Sequence, residues 1–363
     1  MFCKKDEYKV LGLMSGTSLD GLDMAYCRFT RGSEGEWKYE ILVAETLPWE
    51  ESWQRSIHDA YYLQGPKLME FHFRLGHEMG RRASAFIHKY RIRPDFIASH
   101  GQTIYHNPAA GYTFQAGSGA ALAAQTGLPV VSDFRSVDVA LGGQGAPLVP
   151  IGDKLLFSEY GACLNLGGFA NISHDDAKGH RIAYDLCPAN MALNHLAGMV
   201  GLPFDKEGHL ASRGNVIQDL LHRLQNLNYF HETPPKSLGR EWFERVFLPE
   251  LHRHEISPQD GLRTVSELIA WTLEKAVTFI PNPRQGLLIT GGGAHNQFLI
   301  KTFKEKLNIP LTIPDSRLVD FKEALIFAFL GVLFVEGEVN CLKEVTGARR
   351  NSIGGCLYQG SVD

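Results

Sequence analysis

Residues 10–13 and 22–27 are apolar runs of strand character. They flank a turn containing Ser15, Gly16, Thr17, Ser18, Asp20 and Gly21, and a third strand pattern follows at 37–46. The same grammar begins again at 162–167: a strand, the turn Gly167-Gly168-Phe169-Ala170-Asn171, a return strand at 172–174 and a third strand at 181–184. Both halves then change to helical period, through Leu68, Phe71, Leu75, Met79, Phe86 and Ile87 in the first and 191–200 in the second. A repeat of architecture at this spacing calls for two similar α/β lobes. The 363 residues agree, since one hydrophobic core rarely serves so long a chain. The lobes are expected over 1–140 and 141–363, with 140–150, rich in Gly and Pro, as the crossing and the last residues able to return to the first lobe. Off the apolar stripe of the first helix, Arg81 and Arg82 read as solvated.

The first turn spends more glycine, hydroxyl and carboxylate than a hairpin needs. Glycines admit a ligand to the backbone, and exposed N–H groups with Ser and Thr hydroxyls make a concavity for phosphate oxygens. Asp20 or Asp23 beside them suits a divalent cation or a water between; the bland alternative is a turn shaped by Gly and Asp. A third glycine cluster, Gly291, Gly292 and Gly293, follows the apolar run 287–290 and offers a flat surface to a base or sugar, or else close strand-to-helix packing. Neither G-x-x-x-x-G-K-[ST] nor the dinucleotide fingerprint is present. Three Gly-rich loops, two in matching positions of the repeat, point to a nucleotide held by two phosphate hairpins.

Other polar groups mark strand and helix ends. His100-Gly101-Gln102-Thr103 follows the apolar run 95–99, where open α/β sheets place ligands; loop carbonyls satisfying the His and Gln are the equal alternative. Glu323 lies near the start of the apolar stretch 321–334, as a dipole-favoured cap or as a functional acid. His252-Arg253-His254-Glu255 lacks the i, i+4 spacing of a helical zinc site and reads as a solvated helix end. Residues 204–260 otherwise suggest no chemistry.

A formal net charge of −4 argues against a nucleic-acid partner held by bulk electrostatics. Six cysteines without C-x-x-C pairs read as reduced thiols, and no apolar run approaches membrane length. A cytoplasmic protein without a membrane partner is therefore expected.

Taken together, 12–23, 99–103, 131–136 with 142–147, 165–171 and 291–296 resemble the anhydro-N-acetylmuramic acid kinase family, in order and over nearly the whole chain. That family belongs to the superfamily of sugar kinases, heat-shock chaperones and actin. The resemblance implies a two-lobed actin-like ATPase fold, each lobe a ribonuclease-H-like mixed sheet with flanking helices, and ATP between the lobes. It also implies an enzyme that opens the 1,6-anhydro bond of its amino sugar with water and moves the γ-phosphoryl of ATP to O6, giving N-acetylmuramic acid 6-phosphate in cell-wall recycling, and a homodimer. By resemblance Asp185, ending a strand, is the base. Gly12, Ser15, Gly16, Thr17, Ser18, Asp20, Gly21 and Asp23 wrap the phosphates, Asp20 through Mg²⁺; Gly167 and Gly168 form the second hairpin, and Gly291, Gly292 and Gly293 back the adenosine. Arg135 is the donor for the lactyl carboxylate, its alternative being an ion pair with Asp133 or Asp138, while His100, Gln102, Thr103, Asn190 and Glu323 belong to the sugar. The family pattern Asp-Thr-Gly-Pro-Gly-Asn is altered here: Leu186, Cys187 and Ala189 replace Thr and both glycines, while Asp185, Pro188 and Asn190 are kept. Two rival readings follow, a kinase of the same fold for another sugar and a nucleotide-gated binding protein without chemistry.

Overall fold

The computed structural model describes residues 4–16, 20–253 and 255–360. The chain divides into two compact units, Met1–Leu156 with Phe321–Asp363, and Phe157–Asp320. The boundary falls beyond the expected residue 140, because Gly152 packs directly on the Ile326 side chain and so ties helix Val149–Leu156 to the first unit.

In the first unit β1 (Glu7–Met14), β2 (Gly21–Arg31) and β3 (Trp37–Pro48) form an antiparallel meander. β4 (Phe96–Ser99) lies parallel to β1 on its other side. β5 (Gln102–Asn107) and β6 (Tyr112–Ala116) make a separate hairpin, and β7 (Val130–Ser132) extends the main sheet parallel to β4. The C-terminal strand Cys356–Tyr358 closes the order as C-terminal strand, β7, β4, β1, β2, β3.

The second unit repeats the plan. β8 (Ala162–Leu166), β9 (Phe169–Asp175) and β10 (Arg181–Pro188) are antiparallel, and β11 (Leu287–Thr290) and β12 (Leu311–Thr312) continue in parallel, in the order β10, β9, β8, β11, β12. Three antiparallel strands followed by two parallel ones is the ribonuclease-H-like order, present twice, with helices between the strands; this is the α/β plan of the actin-like ATPase fold.

Helix Pro66–Tyr90 starts with proline in its first turn and stops at Arg91, whose left-handed backbone (φ 51°) ends the run. Phe71, Leu75, Met79 and Phe86 bury one face of it against the first sheet's core. Arg82 corrects the sequence reading: it is buried, bonds Glu78 at 2.6 Å and Pro48 O at 2.9 Å, and stacks on Trp49 at 4.3 Å. A guanidinium can enter a core when carboxylate, carbonyl and ring all meet it. Arg81 stays exposed on Glu78.

Helix Ser316–Glu336 begins in the second unit and runs into the first, where Ala324–Leu333 is buried all round. Lys322 on it forms a buried ion pair with Asp153 at 2.8 Å. No helix among the described residues is long and apolar enough to cross a membrane.

Candidate active site

In the first unit the β1–β2 turn is pinned from below. The Ser15 hydroxyl donates to Gln102 Oε1 at 2.6 Å and accepts from Trp49 Nε1 at 3.1 Å, so its side chain faces inward together with Gln102. Gly16, Asp20 and Gly21 complete the described part of the turn; Thr17 and Ser18 lie outside the described residues. Asp20 is exposed, and Asp23 accepts from Thr46 Oγ1 at 2.6 Å.

Gly12 has a packing role rather than a ligand-facing one. A Cβ there would stand 2.1 Å from Ala324 O, so the missing side chain lets β1 lie against the buried helix. Gly21 is likewise closed off by Leu47 O at 2.7 Å.

His100 and Arg135 form one unit. Arg135 Nε and Nη2 lie 3.0 and 2.9 Å from His100 Nε2, and His100 Nδ1 is 3.0 Å from Gly101 O. An imidazole that accepts at Nε2 carries its proton on Nδ1, donated to that carbonyl. Burial and the adjacent guanidinium hold His100 well below the usual histidine range, so the ring is neutral. Arg135 Nη1 donates to Gly145 O at 2.6 Å, and burial lowers its own pKa to about 10. Three of five guanidinium donors are thereby used, leaving two for an anion. The alternative ion pairs do not form, because Asp133 caps Ser136 and Asp138 takes Gly145 N at 2.7 Å and Thr346 Oγ1 at 2.7 Å.

Glu323 also belongs to this cluster. The helix starts at Ser316, so Glu323 sits well inside it and is not a cap. Burial, then the Asp23 carboxylate, push its carboxyl up, with Arg135 acting the other way. Thr103 accepts from Gln115 Nε2 at 3.3 Å on the β5–β6 hairpin.

In the second unit the glycines divide. Gly168 is exposed, and a methyl placed on its Cα would meet only Met191 Cε, at 3.6 Å, while one on Gly167 would meet nothing closer than 3.4 Å. Their carbonyls accept from Ala189, Asn190 and Met191 N–H groups, tying the turn to the start of helix Asn190–Gly198. Asn190 Nδ2 donates to Leu166 O at 2.8 Å. Gly291 (φ 82°) and Gly293 are required by packing, since a Cβ would meet Asn165 Oδ1 at 2.6 Å or Leu166 Cβ at 2.7 Å; Gly292 is open.

Asp185 does not end its strand, as the sequence suggests. It sits inside β10, opposite Asn171, at a bulge between Asp185 and Cys187. A loop from far along the chain holds it: Leu238 N–H donates to Oδ2 at 2.8 Å, Tyr229 hydroxyl to its carbonyl at 2.7 Å, and its own N–H to Lys236 O at 3.1 Å. Burial raises its pKa, and the Leu238 N–H only partly offsets this. Such a carboxylate is a better base than a solvated one. The sequence reading missed Tyr229, Lys236 and Leu238; the Pro234-Pro235 break is the one local signal of a shaped loop there. Leu186, Cys187 and Ala189 are all buried in the second unit's core, so the altered motif turns its new side chains inward.

His195 and His252 approach Nε2 to Nε2 at 2.6 Å, and no three His, Cys, Asp or Glu side chains converge among the described residues; His254 lies outside them.

Among solved structures, a 2-hydroxyisocaproyl-CoA dehydratase activator from Clostridium difficile with bound ADPNP aligns at a TM-score of 0.44 and 15% identity, covering 91% of this chain and 98% of its own. A family model described as anhydro-N-acetylmuramic acid kinase matches residues 8–360. Curated proteins of that name resemble the chain throughout. That of Caldanaerobacter subterraneus is 35% identical, covering 95% of each chain, and that of Gloeobacter violaceus 37%, covering 95% of this chain and 97% of its own. The relative from Francisella tularensis is 35% identical over 96% of this chain and 98% of its own. A match of this identity from end to end, on a doubled ribonuclease-H-like plan, places the chain in the anhydro-N-acetylmuramic acid kinase family.

Proposed function

We propose that the protein uses ATP and water to convert anhydro-N-acetylmuramic acid into N-acetylmuramic acid 6-phosphate and ADP. The observation that carries this reading is Asp185, a half-buried carboxylate with one oxygen fixed by Leu238 N–H and a pKa raised by desolvation. In the proposed reaction Asp185 takes a proton from a water as its oxygen bonds to the anomeric carbon. The anomeric bond to O6 breaks, and O6 takes its electron pair to the γ-phosphorus while ADP leaves. The proton on Asp185 is later released to solvent.

Arg135 supplies its two unused donors to the lactyl carboxylate, and neutral His100 fixes the guanidinium while adding no charge of its own. Glu323, Thr103 and Asn190 are assigned to sugar hydroxyls. Gly16, Gly167 and Gly168 are assigned to the phosphates, Gly292 to the adenosine. Mg²⁺ usually takes one or two carboxylates beside phosphate oxygens, and Asp20, exposed, with Asp23 nearby in the same hairpin, fits that modest demand; bound there it would neutralise charge on the phosphates.

A coupled ATPase assay with the anhydro sugar against N-acetylmuramic acid tests the reading, with the phosphorylated product identified by mass spectrometry. Turnover of the anhydro sugar is expected. Turnover of the open-ring sugar alone would overturn it in favour of a kinase for another substrate; ATP binding without sugar-stimulated turnover would favour a binding protein.

A further inference from the structure

The second unit contains a cavity of about 380 Å³ that the proposed reaction does not use. Phe230, Trp271 and Phe279 supply aromatic wall, and Lys236 and Lys275 supply charge. Lys275 Nζ lies over the Trp271 ring at 4.0 Å; Lys236 Nζ lies over the Tyr229 ring at 4.5 Å and donates to Tyr229 O at 2.8 Å. Neither ammonium has a carboxylate at ion-pair distance among the described residues, and the two repel, Lys236 being lowered by burial and by Lys275. Glu232 on the rim is the opposing charge, so the lining carries a net single positive charge.

Tyr184 adds a further ring to the wall. It lines the cavity and is 6% exposed, and its hydroxyl, unpartnered among the described residues, has almost no accessible surface, so the part that faces the cavity is apolar. Its ring meets His174 edge to face, with centroids 6.1 Å apart, instead of through the hydroxyl. Phe279, 59% exposed, is likewise apolar surface in want of a partner.

We propose that this cavity binds a small aromatic carboxylate, its ring against Phe230, Trp271 and Phe279 and its charge on Lys236 and Lys275, and that occupancy is felt at Asp185. A single negative charge matches the lining, and aromatic walls favour a flat apolar body. The route to Asp185 is short, a few bonds of one backbone segment and two hydrogen bonds. Lys236 offers its ammonium to the cavity and its carbonyl to Asp185 N–H, and two residues on Leu238 N–H holds the carboxylate. A ligand drawing Lys236 into one position steadies both bonds. The functional meaning of this second part rests on Asp185 as the base, but neither measurement below needs turnover.

The probe is 2-naphthoate, added to the full chain without ATP or sugar and followed by tryptophan fluorescence and calorimetry. Saturable one-to-one binding with a Kd of about 10–100 μM is expected. Lys275→Ala, or Lys275→Gln should the first melt early, weakens it at least tenfold; uncharged 2-naphthamide binds at least tenfold more weakly. Hydrogen exchange at the Asp185 and Leu238 amides slows several-fold with naphthoate bound. Binding that does not saturate by about 5 mM, or equal binding by Lys275→Ala and its Gln counterpart or by naphthamide, overturns the site. Saturable binding with both amides unchanged overturns the link to Asp185.

Discussion

Gly12→Ala and Gly168→Ala make the same chemical change in two hairpins that read alike, yet opposite outcomes are expected. At Gly12 the new methyl would stand 2.1 Å from Ala324 O and 3.0 Å from Ala328 Cβ. That is roughly 1 Å inside normal contact, and the first obstacle is helix backbone, which cannot rotate away. Overpacking costs about 1–3 kcal/mol where side chains can yield, so about 3 kcal/mol is expected here. For a domain of this size that lowers Tm by about 6–12 °C. At Gly168 the methyl would meet only Met191 Cε at 3.6 Å, an ordinary contact. Stability should hold to within about 1 kcal/mol, and the narrower unfolded ensemble can even raise it. There the methyl enters the space assigned to a phosphate, and KM for ATP should rise about tenfold or more. Thermal melts by circular dichroism and initial rates at varied ATP separate the two. A wild-type melt for Gly12→Ala would refute the packing argument, and wild-type KM and kcat for Gly168→Ala would remove that glycine from the phosphate loop.

Asp185→Asn should lower kcat by about a thousandfold or more without lowering Tm, since it removes a desolvated charge; a loss below tenfold would dismiss Asp185 as the base. Because a base must be unprotonated and burial raises this one, the acid limb of kcat/KM should fall at a pH above the ordinary aspartate value of about 3.9, and a limb at that value would contradict the desolvation argument. Arg135→Lys should raise the KM for sugar about tenfold or more with little change in ATP KM, as an ammonium cannot hold His100, Gly145 O and a carboxylate together; equal effects on both substrates would argue for a purely structural arginine. Asp153→Ala should lower Tm by removing the carboxylate 2.8 Å from the buried Lys322 ammonium, and by more than Asp153→Leu with Lys322→Met does; equal melts would exclude that account.

Much of the fold is legible because it is local. Alternating strands joined by short polar turns declare both meanders, and helix period declares Pro66–Tyr90 and Asn190–Gly198. β12, two residues long, and the C-terminal strand carry too little pattern to be seen, and they pair only because distant segments bring them to a sheet edge. The glycines show the limit most clearly. Gly12, Gly168 and Gly291 look equivalent in sequence, but whether a missing Cβ admits a helix or a ligand depends on what packs opposite. Arg82 was hidden for the same reason, its partners Pro48 O and Trp49 lying on another element. Asp185 could be picked out by family resemblance, yet its support comes from residues 229–238, whose spacing says nothing about the strand they brace.

The stretch from Asp185 to Asn190 contains no glycine, and three of its side chains, those of Leu186, Cys187 and Ala189, are sunk in the core. Alanine in place of glycine narrows the unfolded ensemble by about 0.4–1 kcal/mol per residue, so Asp185, the proposed base, is carried on a stiffer mount than the pattern with two glycines provides. Local fraying should then be uncoupled from activity: as temperature rises, turnover should persist until the unit melts as a whole instead of fading ahead of it.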